Sequence, residues 1–169
     1  MLKILGIILV IAASSSIGAV LSSNLSRRVS DLEQAIRLLE QMQTYLRYGQ
    51  MPTAEMVSRL SRSEGFAGFT FLGGCLERMK AGDLFPDAWR AALRSFHGSK
   101  LSDRDKGVLE TIADILGGSD YESQLHALEL NITLLGQNLK EALAEKNTGG
   151  KLYRSLGVLL GIGAAIFML

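Results

Sequence analysis

The chain has 169 residues, 47% of them hydrophobic, and its 18 lysines and arginines against 17 aspartates and glutamates leave a formal charge of +1. This near balance excludes the strongly basic surface typical of nucleic-acid-binding proteins, so we expect no nucleic-acid partner. The single cysteine, Cys75, excludes an intramolecular disulfide. Its neighbours are apolar and include no histidine, which predicts a buried, unreactive thiol.

The first element is an uncharged apolar stretch from Ile4 to Leu21 that continues without charge through Ser26. As a helix rising 1.5 Å per residue, it would match the roughly 30 Å hydrocarbon core of a bilayer. The sequence therefore predicts an N-terminal membrane anchor over residues 1–26. A cleaved signal peptide is the alternative, because Lys3 precedes the stretch and small residues fill its centre.

The middle of the chain, residues 27–150, is predicted to be one all-α domain, a bundle of about six helices. Apolar residues recur there at helical spacing, and Gly or Pro residues separate the helices. No stretch alternates strictly between apolar and polar residues, so we expect no strands. The predicted helices begin near Val29, Pro52, Phe66, Phe85, Ser102 and Ser119.

The last of these helices has the most regular pattern. Ser119 and Glu122 have the spacing of a capping box at its start. Apolar residues then follow in alternating steps of three and four, which predicts a coiled-coil-like seam. The seam comprises Leu125, Leu128, Ile132, Leu135, Leu139 and Ala142. Across the whole bundle, the residues predicted to be buried include Phe69, Trp89, Ile112, Ile132 and Leu135.

The closing stretch, Ser155 to Leu169, is apolar and uncharged, but as a helix it would rise only about 22 Å. The preceding residues, with Tyr153 and two cations suited to the headgroup region, extend it. We predict a C-terminal membrane anchor over residues 151–169; a buried core helix is the alternative. Gly157 and Gly161 form a G-x-x-x-G pattern, and Gly18 lies on a similar small-residue stripe, so these glycines are candidates for helix packing in the membrane.

The cations beside the two anchors predict the orientation of the chain. Arg27 and Arg28 follow the first anchor, and Lys151 and Arg154 precede the second. The positive-inside rule then places the middle domain in the cytoplasm and both termini across the membrane. The same four cations are our candidate contacts for lipid headgroups or for an acidic partner surface.

The sequence offers little catalytic chemistry. His97 and His126 are distant in sequence and belong to no Cys/His cluster, so we predict exposed or boundary histidines and no metal site. No residue set suggests a cofactor or an enzyme. A membrane-tethered enzyme or ligand carrier with a site between the helices remains the alternative from another class.

Three segments together resemble the stage III sporulation protein AB family of endospore-forming bacteria. They are the basic junction and anchor from Lys151 to Gly161, the Leu116-Gly-Gly-Ser-Asp120 turn followed by Gln124, and the N-terminal anchor that leads into an amphipathic helix. The resemblance covers essentially the whole chain. It implies a soluble domain like the cytoplasmic helical domain of the type II secretion F protein, an inner-membrane platform component.

The same resemblance implies a function. A family member would be a non-enzymatic platform or adaptor in the mother-cell-side membrane around the forespore. There it would couple a secretion-type ATPase in the cytoplasm to other components of a sporulation channel. This chain has one helical domain where the secretion F protein has two, so a homo-oligomer could supply the second copy. A regulatory adaptor without a transport role is the alternative.

Overall fold

The computed structural model describes the backbone of residues 2–49, 51–116, 118 and 120–168, and the side chains of residues 23–49, 51–116, 118 and 120–148. Seven α-helices lie in this part of the chain. They are α1 (Leu2–Gly49), α2 (Thr53–Ser61), α3 (Phe71–Lys80), α4 (Phe85–Arg94), α5 (Asp103–Glu110), α6 (Ile112–Ile115) and α7 (Tyr121–Met168). The chain forms two compact units, Met1–Val29 with Lys140–Leu169, and Ser30–Leu139.

The larger unit, Ser30–Leu139, contains six helices if α5 and α6 are taken together. Thr111, the residue between them, has φ −62° and ψ −20°, which is right-handed helical backbone. The two pieces therefore behave as one helix with a local break. The predicted all-α class and the predicted number of helices are confirmed, and the described residues contain no strand.

Where side chains are described, no helix is both long and apolar enough to cross a bilayer. The predicted anchors, residues 1–26 and 151–169, lie outside those residues except for positions 23–26. The two anchors therefore remain predictions from the sequence.

An aromatic cluster forms the centre of the larger unit. The Trp89 ring packs edge-on against Phe71, with ring centroids 5.1 Å apart, and lies 5.5 Å from Phe85. Phe69 and Phe96 complete the cluster. Trp89 is 0% exposed. Its one polar atom, the indole Nε1, donates a hydrogen bond to the Leu109 carbonyl at 2.8 Å, so burial leaves this donor satisfied.

Most of the predicted core is confirmed. Phe69, Trp89, Ile112 and Leu135 are buried, as is Cys75. Ile132 is only half-buried, so this part of the prediction was wrong. The reason lies in the orientation of α7.

The start of α3 also differs from its prediction. The sequence pattern placed it at Phe66, but residues Glu64–Phe66 form a short 3₁₀ turn and α3 begins at Phe71. Gly65 disfavours a continuous helix here, and the Gln34 amide of α1 donates a hydrogen bond to the Gly65 carbonyl at 2.7 Å. The Gln34 side chain therefore supplies the Gly65 carbonyl with a hydrogen bond that a longer α3 would have supplied from its own backbone.

Side chains cap the first turn of both α5 and α7. At α5, Ser102 and Asp105 form a reciprocal capping box. At α7, Asp120 is the capping residue, because its carboxylate accepts hydrogen bonds from the Ser123 backbone N–H at 3.0 Å and from the Ser123 hydroxyl at 2.6 Å. The predicted box began at Ser119, which lies outside the described residues.

Helix α7 buries three of the six residues of its predicted apolar seam. The buried residues of α7 follow steps of three and four. However, Asn131 and Asn138 are buried where the apolar pattern predicts their neighbours Ile132 and Leu139. The buried set is Leu128, Asn131, Leu135, Asn138 and Ala142. The remaining predicted seam residues, Leu125, Ile132 and Leu139, are half-buried.

Candidate functional site

The smaller unit carries part of the predicted cationic site. In it, the Arg28 guanidinium lies 2.9 Å from the Glu145 carboxylate, which joins α1 to α7. The Arg28 side chain is 18% exposed and Glu145 is 55% exposed. Arg28 therefore has an acidic partner within the chain, whereas the side chain of Arg27 is exposed.

The other residues of the predicted site cannot be assigned contacts. The side chains of Lys151 and Arg154, and the surroundings of Gly18, Gly157 and Gly161, lie outside the described residues. Of the four predicted cations, Arg27 and Arg28 lie on α1, and Arg28 pairs with Glu145 of α7.

A second charged surface lies along α4. Its arginines Arg90 and Arg94 pair with Asp114 and Glu110, on either side of the break at Thr111. The Arg94 guanidinium is 3.1 Å from Glu110. The hydrogen bond from Arg90 to Asp114 raises the pKa of Arg90 above its ordinary value. These charges are engaged in holding α4 against α5 and α6.

Asp105, in the larger unit, is a fully enclosed carboxylate that is 0% exposed. One carboxylate oxygen accepts the Ser102 backbone N–H at 2.9 Å, and the other accepts the Asn138 amide N–H of α7, also at 2.9 Å. Buried carboxylates require such donors because an unpaired buried charge costs several kcal/mol. Asp105 thus serves as a helix cap and also joins α5 to α7.

A second polar pair lies further along the same two elements. Asn131, 5% exposed, has its side-chain oxygen 2.9 Å from the Thr111 hydroxyl, and its amide donates to the Ala127 carbonyl at 2.8 Å. The Thr111 hydroxyl is also 2.8 Å from the Val108 carbonyl, so its single proton serves one of the two acceptors at a time.

Sequence reasoning missed both of these pairs, although a signal was available. It predicted no contact between helices for Asp105 or for the asparagines of α7. Asn131 and Asn138 are separated by seven residues, the heptad spacing. Two asparagines at that spacing lie on the same face of a helix, next to the apolar seam.

The remaining candidates for chemistry are sparse in the described part of the chain. A groove of about 280 Å³ lies between α3 and α4, and the guanidinium of Arg78 at its edge pairs with Asp83 at 3.0 Å. Its walls are apolar or carry hydroxyls of Thr70 and Ser95. Burial raises the pKa of the Cys75 thiol to about 12, so this thiol is protonated and unreactive at neutral pH.

The two histidines also agree with their prediction. His97 and His126 are both exposed. Within the described residues, no three His, Cys, Asp or Glu side chains come together as metal ligands would.

Comparison with known proteins gives consistent results. The family model of stage III sporulation protein AB matches residues 3–169. Stage III sporulation protein AB of Bacillus subtilis (strain 168) is 23% identical over 164 residues, which cover 96% of each chain. A solved structure of stage III sporulation protein AB (SpoIIIAB) superimposes with a TM-score of 0.60 at 20% identity, covering 72% of this chain and 98% of that one. Since the family model spans nearly every residue, the chain belongs to the stage III sporulation protein AB family.

Proposed function

We propose that this protein is a non-enzymatic membrane adaptor of a sporulation-specific, secretion-like channel assembly, with its helical domain on the cytoplasmic side. The family match carries the proposal, because it extends over residues 3–169 and so includes both apolar terminal stretches as well as the domain between them. Membership in a sporulation family supports the setting.

The nature of the helical domain supports an adaptor role. Some of its charged groups pair with one another at the surface, as Arg90 does with Asp114 and Arg94 with Glu110. Its buried polar groups serve caps and contacts between helices. We infer that the outer surface of this helical domain holds partners. The partner we propose is a secretion-type ATPase, coupled through this protein to membrane components of the channel.

The topology can be tested by cysteine labelling in intact cells with a membrane-impermeant maleimide. Ala67 is exposed, so Ala67→Cys is a suitable reporter; the native Cys75 can stay because it is buried and its pKa is about 12. A matched reporter follows the N-terminal methionine. We expect Ala67→Cys to label only after the membrane is opened and the terminal cysteine to label from outside. Labelling of Ala67→Cys in intact cells would overturn the cytoplasmic placement.

The ATPase partner needs a separate test. A secretion-type ATPase from the same organism is co-expressed with the full-length chain, and the pair is extracted in mild detergent and purified through a tag on either protein. Co-purification in both directions supports the platform role. If the topology is as proposed and the ATPase does not co-purify, the protein is a regulatory adaptor without a coupling role.

A further inference from the structure

We propose that two polar contacts, the buried pair of Asp105 with Asn138 and the contact of the exposed Thr111 with the buried Asn131, lock the rotation of helix α7 about its own axis against the setting that its apolar residues favour. This inference concerns the larger unit alone and does not depend on the proposed function. It begins from the mismatch between the apolar pattern of α7 and the face that α7 buries.

The mismatch can be expressed as an angle. Successive residues of an α-helix are about 100° apart, so the buried set and the predicted apolar seam between residues 125 and 139 differ in mean direction by about 60°. In the structure, Leu125, Ile132 and Leu139 are half-buried on one flank, while Asn131 and Asn138 are almost fully enclosed. By hydrophobicity alone, the helix should turn the other way.

The polar contacts of α7 oppose this rotation toward the apolar seam. The Asp105 carboxylate is 0% exposed and accepts the Asn138 amide at 2.9 Å. If α7 turned toward its apolar seam, Asn138 would move away and Asp105 would lose a donor inside the protein. Leaving a buried charge short of a partner is costly, whereas half-exposed leucines are tolerated.

The spacing makes the pairs act together. Asp105 and Thr111 are six residues apart on α5 and the break that follows it, and their partners Asn138 and Asn131 are seven residues apart on α7. Two polar contacts about two helical turns apart fix both the rotation and the register of a helix. A single buried asparagine performs the same role in coiled coils.

If the lock is released, the surface of α7 changes its chemistry. A turn of about 60° toward the apolar seam would bury Ile132 and bring Asn131 and Asn138 to the surface. The half-buried flank of Leu125, Ile132 and Leu139 is therefore an apolar surface while the polar contacts hold, and rotation of α7 would remove this apolar surface from solvent.

The test uses cysteine reporters on the two flanks of α7 in the full-length chain in non-ionic detergent. Ile132 and Leu134 are both half-buried and lie on opposite sides of the buried face. Each is replaced separately by cysteine, with or without the lock-breaking pair Asn131→Ala and Asn138→Ala. The native Cys75 reports folding in every sample, because it is 0% exposed and should remain unlabelled in folded protein.

We expect opposite changes at the two reporters. When the lock is broken, the labelling rate at Ile132→Cys should fall by at least about threefold and that at Leu134→Cys should rise by a similar factor, because rotation buries one flank as it exposes the other. Gln137→Ala, which removes an exposed amide of the same helix, is the matched control and should change neither rate.

Other outcomes contradict the lock. A rise at both reporters with Cys75 still protected means that α7 has loosened without turning, and no change at either means that packing alone sets its rotation. If Cys75 becomes labelled, the double variant has unfolded. The milder pair Thr111→Val with Asn131→Ala, which leaves Asp105 with its Asn138 partner, is then measured. Opposite but smaller changes support the lock, and their absence overturns it.

Discussion

Trp89 provides the sharpest test of the packing described here. Its ring is 0% exposed, and its Nε1 donates to the Leu109 carbonyl at 2.8 Å. Leu109 lies in the last turn of α5, where its carbonyl also receives the Thr111 backbone N–H. Replacing Trp89 by phenylalanine keeps an aromatic ring beside Phe71 and Phe85 but removes this donor and part of the buried surface.

The expected cost has two parts. The smaller ring leaves unfilled space, for which we expect about 1 to 2 kcal/mol. The Leu109 carbonyl loses its indole donor in a buried environment, which adds about 1 to 3 kcal/mol. The free energy of unfolding should therefore fall by about 2 to 5 kcal/mol, and the unfolded fraction should rise at least about 30-fold.

The native Cys75 makes this measurable in the full-length chain in detergent. Because the thiol is 0% exposed with a pKa of about 12, it reacts with maleimide only after unfolding. Its labelling rate across a urea series reports the unfolding equilibrium when refolding is fast relative to labelling. Phe85→Leu is the control, since it alters the same cluster without a polar atom and should cost less than about 1.5 kcal/mol. If Trp89→Phe costs no more than this control, the indole hydrogen bond contributes nothing measurable.

Three further predictions use the same chain. Gly82 has φ +106°, so Gly82→Ala should destabilise the protein by about 1 to 2 kcal/mol, and an unchanged urea midpoint would contradict this. Gly73 lies within α3 with nothing near the position of a Cβ, so Gly73→Ala should stabilise it by up to about 1 kcal/mol in the same assay. Hydrogen bonds from the Ser123 side chain and backbone lower the pKa of Asp120; its contribution to stability is therefore present above its unfolded pKa and is lost as the pH falls through the lower folded value. NMR titration should show this low pKa and a rise toward the ordinary value in Ser123→Ala; an identical titration in both proteins would refute the contribution of the Ser123 hydroxyl.

Much of the fold could be predicted because local patterns agree with the tertiary structure. The buried positions of Trp89 and Ile112 followed from helical spacing, and the start of α5 next to Ser102 followed from a residue type that favours helix N-termini. The start of α3 could not be predicted in this way. It depends on Gln34, which is 31 residues away in sequence from the Gly65 carbonyl it binds.

The orientation of α7 shows the main limit of pattern reasoning. Hydrophobic periodicity considers each helix alone and assigns Ile132 to its buried face. The buried carboxylate of Asp105 on another helix changes that preference, because it requires Asn138. Of the candidate site, the chain order placed Arg27 and Arg28 beside the first anchor, but only the structure shows Arg28 bound to Glu145 from the far end of the sequence.

The two arginines of α4 have a consequence for the break between α5 and α6. Arg94 and Arg90 lie one turn apart on α4. Arg94 pairs with Glu110 before the break and Arg90 pairs with Asp114 after it, so the two ion pairs stabilise the backbone on both sides of Thr111. Three of the four charged groups are more than one-third exposed, and salt screens such pairs far more strongly than it affects buried contacts. Rising ionic strength should therefore weaken these ion pairs and destabilise the helical backbone next to Thr111. Amide hydrogen exchange should become faster between residues 111 and 115 and stay unchanged in the aromatic cluster.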